Sequence, residues 1–159
     1  MTEMDKNASQ KEQTSDAAAA PLLHVVIVTG DRALYDGMAD KVIAPSVNGQ
    51  VTILPHHVAF LARLDPGRMV VGRKDETQDY AIGGGFLEVR DNQVTVLADT
   101  AERGEEIDIA RAEAARRRAS ILVKRYRGRP EYVAAYQALR RSRARLKVAR
   151  MATRRSPHR

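Results

Sequence analysis

Gly83-Gly84-Gly85-Phe86-Leu87-Glu88-Val89-Arg90-Asp91-Asn92-Gln93-Val94-Thr95-Val96-Leu97-Ala98 reads as two short strands joined by an Asp-Asn turn. Phe86, Glu88 and Arg90 alternate with Leu87 and Val89. Val94, Val96 and Ala98 alternate with Thr95 and Leu97, the period of two that marks a strand. Neither strand has a wholly polar face, so each is buried on at least one side. The three glycines are not a phosphate loop: they lack the Lys-Ser/Thr pair, and a strand follows them rather than a helix. They read as a bulge or sharp bend in a sheet.

The same pattern extends toward the N-terminus. Leu22–Thr29 ends at Gly30-Asp31, Ala39–Ala44 stops at Pro45, and Val51–Leu54 stops at Pro55. Val58–Leu64 stops at Asp65-Pro66-Gly67, Arg68–Val71 at Gly72, and Gln78–Ile82 leads into the glycines. Short strands at roughly 8–12-residue spacing, punctuated by Gly and Pro, predict a β-sandwich or barrel. At Gly104 the period changes. Asp108 is a good N-cap, with Glu105 and Glu106 where negative charge suits a helix start. Ala112, Ala115, Ala119, Leu122 and Tyr126 then recur on one helical face. Gly128 ends that helix and Pro130 opens the next. Tyr132, Ala135, Tyr136, Leu139, Ser142, Leu146 and Ala149 form its stripe, giving an αα-hairpin. The fold class expected is α+β: an N-terminal β-sandwich of about ten short strands, then an antiparallel α-helical hairpin. Residues 1–20 read as a disordered leader, 21–104 as the sandwich, 105–152 as the hairpin and 153–159 as a basic tail. Because alanine dominates the helix stripes, the hairpin buries little apolar area and is free to undock.

The chain has 159 residues, 43% hydrophobic, 4% aromatic and without cysteine. That excludes disulfides and thiolate metal sites. Its net charge of +7 divides unevenly, −5 over residues 1–104 and +12 over 105–159. A sign change at one point implies two units with different partners. No apolar run reaches the roughly 18–20 residues a membrane-spanning helix needs, and residues 1–20 have neither a basic signal-peptide n-region nor the acid-poor composition of a transit peptide.

Three segments carry a family resemblance: Gly49–His57, Gly83–Ala98, and Ala101-Glu102-Arg103-Gly104-Glu105-Glu106-Ile107-Asp108-Ile109-Ala110-Arg111-Ala112. Over residues 22–151 the chain resembles the epsilon subunit of bacterial F-type proton-translocating ATP synthases. It departs from the usual family pattern at Thr52, where a Gly is common, and at His56-His57-Val58-Ala59, where Gly-His-x-Pro is common. The resemblance implies a non-catalytic central-stalk rotor component that couples proton flow to ATP synthesis and restrains ATP hydrolysis through a mobile hairpin. It implies a peripheral protein at the cytoplasmic face of the plasma membrane, without direct membrane insertion. The implied partners are the gamma subunit, the membrane rotor ring of c subunits, and the alpha and beta subunits of the catalytic head.

Residue by residue, the resemblance puts rotor-ring or gamma contact at Asn48, Gly49, Gln50, His56 and His57. It requires no cofactor, but in some members ATP acts as a regulatory ligand. The matching positions are Glu102, Ile107, Asp108, Arg111, Ala112, Arg118, Arg141 and Arg145. Arginine suits phosphate because its planar fork donates paired hydrogen bonds. The plain reading of Ile107–Ala112 is a helix start alone. Arg140, Arg141, Arg143 and Arg145 are the expected contacts to an acidic loop on beta.

No catalytic constellation is visible, so any ATP here is an effector. A metal site is not expected: adjacent histidines in a strand point to opposite faces, and no third ligand is in view. The alternative reading is a basic nucleic-acid-binding module, which a pI near 10.0 permits. Against it stand the lack of a helix-turn-helix pattern and of an aromatic stacking platform, Phe60 and Phe86 being the sole phenylalanines.

Overall fold

The structure is a computed structural model that describes residues 20–155. Ten strands precede two helices. They are β1 (Leu23–Val28), β2 (Ala33–Ala39), β3 (Lys41–Ser46), β4 (Gly49–Ile53), β5 (Phe60–Leu64), β6 (Gly67–Arg73), β7 (Glu76–Ile82), β8 (Gly85–Arg90), β9 (Gln93–Ala98) and β10 (Ala101–Arg103). One 3-10 turn, Gly104–Glu106, leads to α1 (Ile109–Arg125) and α2 (Glu131–Arg155). The expected sandwich followed by a helical hairpin is therefore what the chain forms. The leader reading falls almost wholly on residues outside those described.

The strands run in the order β10-β7-β6-β3-β5-β8-β9-β1-β2, with β4 on the free side of β3. β3 holds β6 along Lys41–Ile43 but touches β5 through one pair, Ser46 opposite Leu64. There the sheet folds over into two layers, β10-β7-β6-β3-β4 and β5-β8-β9-β1-β2. Every pairing is antiparallel except β1 with β9. Leu23, Val25 and Ile27 of β1, Leu87 and Val89 of β8, and Val94 and Val96 of β9 point into the shared core with Val42, Ile53, Met69 and Tyr80. The period of two read from residues 86–98 is the alternation of buried and outward side chains in β8 and β9.

Local boundaries differ from the sequence reading in instructive ways. β2 was not expected, because Asp36 and Gly37 weaken it as a strand; it forms at the sheet edge by pairing along β1. The segment read as one strand from Ala39 to Ala44 is broken at Asp40, the corner between β2 and β3, where the Asp40 carboxylate accepts from the backbone N–H of Lys74. β3 then runs through Pro45, whose carbonyl accepts from the N–H of Asp65 at 2.9 Å. β10, three residues long, was also missed. Thr153–Arg155, read as the start of a basic tail, are the last turn of α2.

The Gly83–Gly85 bend is as expected. Gly84 and Gly85 have φ of +124° and +120°, a region open to glycine and costly to other residues. A Cβ on Gly85 would lie 2.1 Å from the carbonyl oxygen of Leu97. The close approach lets β8 sit between β5 and β9.

α2 lies on β6 and β7, and α1 lies on α2. The helix-to-sandwich seam is a second, smaller apolar cluster: Ala81, Ile107, Ala112, Leu146, Val148 and Ala149.

Two outcomes follow from this packing. Gly85→Ala forces both the positive φ and a backbone clash, so a loss on the order of 3 kcal/mol or more is expected by chemical denaturation. Tyr80 is fully buried and donates to Oε1 of Gln78 at 2.7 Å. Burial pushes its hydroxyl up to about 12, with the neighbouring Arg103 opposing. The folded state thus keeps a proton that the unfolded state loses near pH 10. Stability from this group is intact below pH 10 and declines as pH rises toward 12. Tyr80→Phe should flatten that alkaline decline in pH-dependent melting.

Candidate functional site

Glu102 stands on β10, the last short strand, which reaches β7 through the pair Glu102 opposite Ala81. After the 3-10 turn, Ile107 tucks into the seam and Asp108 stops the extended backbone. The Asp108 carboxylate accepts from the backbone N–H of Arg111 at 3.0 Å, satisfying one of the free donors at the start of α1. Ala112 faces α2, while Arg111 and Arg118 remain on the exposed side. From α2, Arg145 reaches across to Glu102, donating from Nε at 2.6 Å.

These groups line a cavity of about 400 Å³ at the junction of the sandwich with both helices. Its walls are Glu102, Glu106, Ile107, Asp108, Arg111, Ala112, Ala115, Arg118 and Arg145. A small-ligand site of this size range is ordinary. The structure brings together all the residues expected for ATP except Arg141. That side chain runs instead over the Gly83 bend, its Cδ 3.1 Å from where a Cβ on Gly83 would stand. Arg111 and Arg118 make no ion pair among the described residues, so two guanidinium forks are available to an anion. Arg145 is already engaged by Glu102. Glu106 and Ala115 were missed; their spacing from Asp108 and Ala112 places them nearby, but nothing in their residue types pointed to a ligand.

The residues expected at the rotor ring or gamma do not form one surface. Asn48 is in the β3–β4 turn, where its N–H donates to Ser46 Oγ at 3.2 Å and Gly49 takes φ +114°. Gln50 follows in β4. β4 then carries the chain to the opposite end of the sandwich. There the N–H of His56 donates to Oδ1 of Asn92 at 2.6 Å, and His57 meets Phe60 edge-on at 5.8 Å. His56 has φ +64°, a backbone region that glycine enters more readily than histidine.

The arginines expected to meet an acidic partner also divide. Arg143 is exposed. Arg140 makes a two-pronged pair with Asp65, at 2.7 and 2.6 Å. With Arg145 on Glu102, half of the expected contact set is used inside the molecule. Among the described residues no group of His, Asp and Glu is arranged to hold a metal ion, and no helix is long and apolar enough to cross a membrane.

Taken together, the geometry defines a two-part protein: a β-sandwich carrying a docked, basic helix pair, with a cleft of about 400 Å³ where the two meet. A family model described as the ATP synthase delta/epsilon chain beta-sandwich domain matches residues 22–104. A second, the ATP synthase delta/epsilon chain long alpha-helix domain, matches residues 105–150. An ATP synthase epsilon chain of Herpetosiphon aurantiacus is 43% identical over 129 residues, spanning 81% of this chain and 95% of that one. Another, of Dehalococcoides mccartyi, is 43% identical over 130 residues, spanning 80% and 91%. A chain within the Euglena gracilis mitochondrial ATP synthase shares the fold, with a TM-score of 0.66 at 20% identity, covering 87% of this chain and 88% of that chain. The chain belongs to the ATP synthase delta/epsilon chain family, as an epsilon-type member.

Asp108→Ala removes the cap without touching the seam. The expected cost is about 1 kcal/mol of stability, read by denaturant unfolding, with fraying confined to the first turn of α1 by amide exchange.

Proposed function

We propose that this epsilon-type subunit is a non-catalytic component of the central stalk, coupling proton flow to ATP synthesis and restraining ATP hydrolysis through the helix pair, which ATP holds in its docked position. The observation that carries the reading is the junction cleft. It joins a sandwich carboxylate, the capped start of α1 and arginines from both helices, so a bound nucleotide would bridge all three elements. Arg111 and Arg118 supply the forks for phosphate, and Ile107 and Ala112 the apolar wall for a base. The three acids of the cleft are engaged elsewhere, Asp108 by the N–H of Arg111, Glu102 by Arg145 and Glu106 by Arg32, and in this reading the ligand is an effector.

In this reading the gamma subunit takes the outward face of β5, β8 and β9. Leu61, Phe86 and Leu97 are exposed there, with Phe86 paired directly to Leu97. Among the described residues the helices lie on the β6–β7 side of the sandwich instead. An apolar patch on an otherwise polar sheet face fits a permanent subunit interface. The Asn48–Gln50 turn and the His56–His57 loop, at the two ends of β4, are the contacts to the c-subunit ring or to gamma. The basic helices face the alpha and beta subunits. The protein then sits at the cytoplasmic face of the plasma membrane through the complex and not through a span of its own. The basic nucleic-acid-binding module gains no support, because the arginines nearest the sandwich are committed to its acids.

Calorimetric titration of ATP into the full chain tests the reading. One-site binding is expected. Arg111→Ala and Arg118→Ala should each weaken it roughly tenfold or more, with Asp108 kept as cap. Arg141→Ala should change affinity less than either. Failure of the wild type to bind at millimolar ATP would remove the nucleotide from the mechanism.

A further inference from the structure

Three acids and three arginines line the junction cleft: Glu102, Glu106 and Asp108 against Arg111, Arg118 and Arg145. A lining of balanced charge offers a polyphosphate no net attraction, so any excess must come from beyond the wall. Two of the acids are taken up within the cleft, Glu102 by Arg145 and Asp108 by the N–H of Arg111. Glu106 is not. Its carboxylate accepts from Nη2 of Arg32 at 3.0 Å, and Arg32 is no part of the cleft wall. It stands in the β1–β2 turn, 74 residues earlier in the chain.

That turn is closed on itself. The N–H of Thr29 donates to the carbonyl of Arg32 at 2.9 Å, and the Thr29 hydroxyl donates to the Asp31 carboxylate at 2.5 Å. Close by, Arg103 donates to the carbonyl of Leu34 at 2.5 Å. This ties β10 to β2 just before the 3-10 turn that carries Glu106. The backbones on both sides of the Arg32–Glu106 pair are thus set by the sandwich. The two side chains are 51% and 46% exposed, and a pair so exposed contributes little to stability. Its effect falls on the charge of the cleft.

We propose that Arg32 is a positioning residue for the effector: it holds the Glu106 carboxylate to the β1–β2 turn and tips the charge at the cleft from neutral to positive. With Arg32 present, the cleft and its neighbour carry four arginines against three acids. Without it, Glu106 is a free carboxylate facing the ligand's phosphates. The proposal rests on the effector reading above and adds to it a residue that no contact with the ligand would reveal.

Calorimetric titration of the full chain with ATP and with ADP tests it. Arg32→Ala should weaken ATP roughly three- to tenfold and ADP less, because the freed carboxylate repels in proportion to ligand charge. About 0.5 M salt should shrink the ATP penalty. The denaturant midpoint should stay at that of the wild type. Adding Glu106→Gln to Arg32→Ala returns the cleft to its original net charge and should restore ATP affinity to within about twofold of the wild type. Loss of a merely structural staple would not be rescued in this way. Arg90→Ala on β8, which removes a like charge outside the cleft, should change affinity by less than about twofold. Wild-type affinity in Arg32→Ala, an equal loss for ADP, or a loss that persists in the double variant overturns the role of Arg32 and leaves the effector reading standing. No binding of ATP by the wild type at millimolar concentration overturns both.

Discussion

Everything on the helical side of this molecule depends on how closely α2 approaches β6 and β7. The approach is set by small residues on both surfaces: Ala81 and Gly83 on the sheet, Gly104 in the 3-10 turn, and Ala144, Ala149 and Ala152 on the helix. A Cβ on Gly104 would sit 3.0 Å from that of Ala152 and 3.1 Å from Cγ1 of Val148. Small side chains bring backbones together but remove little surface from water. The dock is thus close without being deep, and the arginine–acid pairs gain weight in proportion. The sandwich has the opposite balance, with its branched core residues almost wholly excluded from solvent.

That contrast explains why the cleft lies where it does. A ligand site lined by one rigid body would report nothing when filled. Here Glu102 belongs to the sandwich, Asp108, Arg111 and Arg118 to α1, and Arg145 to α2. A ligand held by all of them must favour the arrangement that brings them together, since it can bind no other as well. Asp108 contributes twice, closing the helix start and furnishing one wall.

Much of this was legible in the chain. Residues 83–98 alternate in two strands because each packs one face on the core, and the change of period at Gly104 marks where a sheet gives way to helices. Seven of the nine cleft residues were readable through their resemblance to a family motif, Glu106 and Ala115 were not, and Arg141, which the motif also pointed to, went elsewhere. What local pattern did not reveal depends on tertiary placement. β2 carries Asp36 and Gly37 and becomes a strand because β1 offers it an edge. Asp65 reads as the opening of an Asp-Pro-Gly turn, and nothing in that tripeptide announces an arginine 75 residues away. Asn48 and His56 are eight positions apart in sequence and at opposite ends of the sandwich, since a five-residue strand lies between them.

The parallel pairing of β1 with β9 has a consequence for the order in which the molecule is made. His24 through Val28 find their partners in Gln93 through Leu97, so the sandwich cannot close until most of its own sequence has left the ribosome. Long-range pairing of this kind slows closure, and synthesis proceeds at only about 5–20 residues per second. The helices emerge afterwards. They meet a surface on which Asp65 and Glu102 are already in position, and the first dock of each newly made chain is a landing on a finished template.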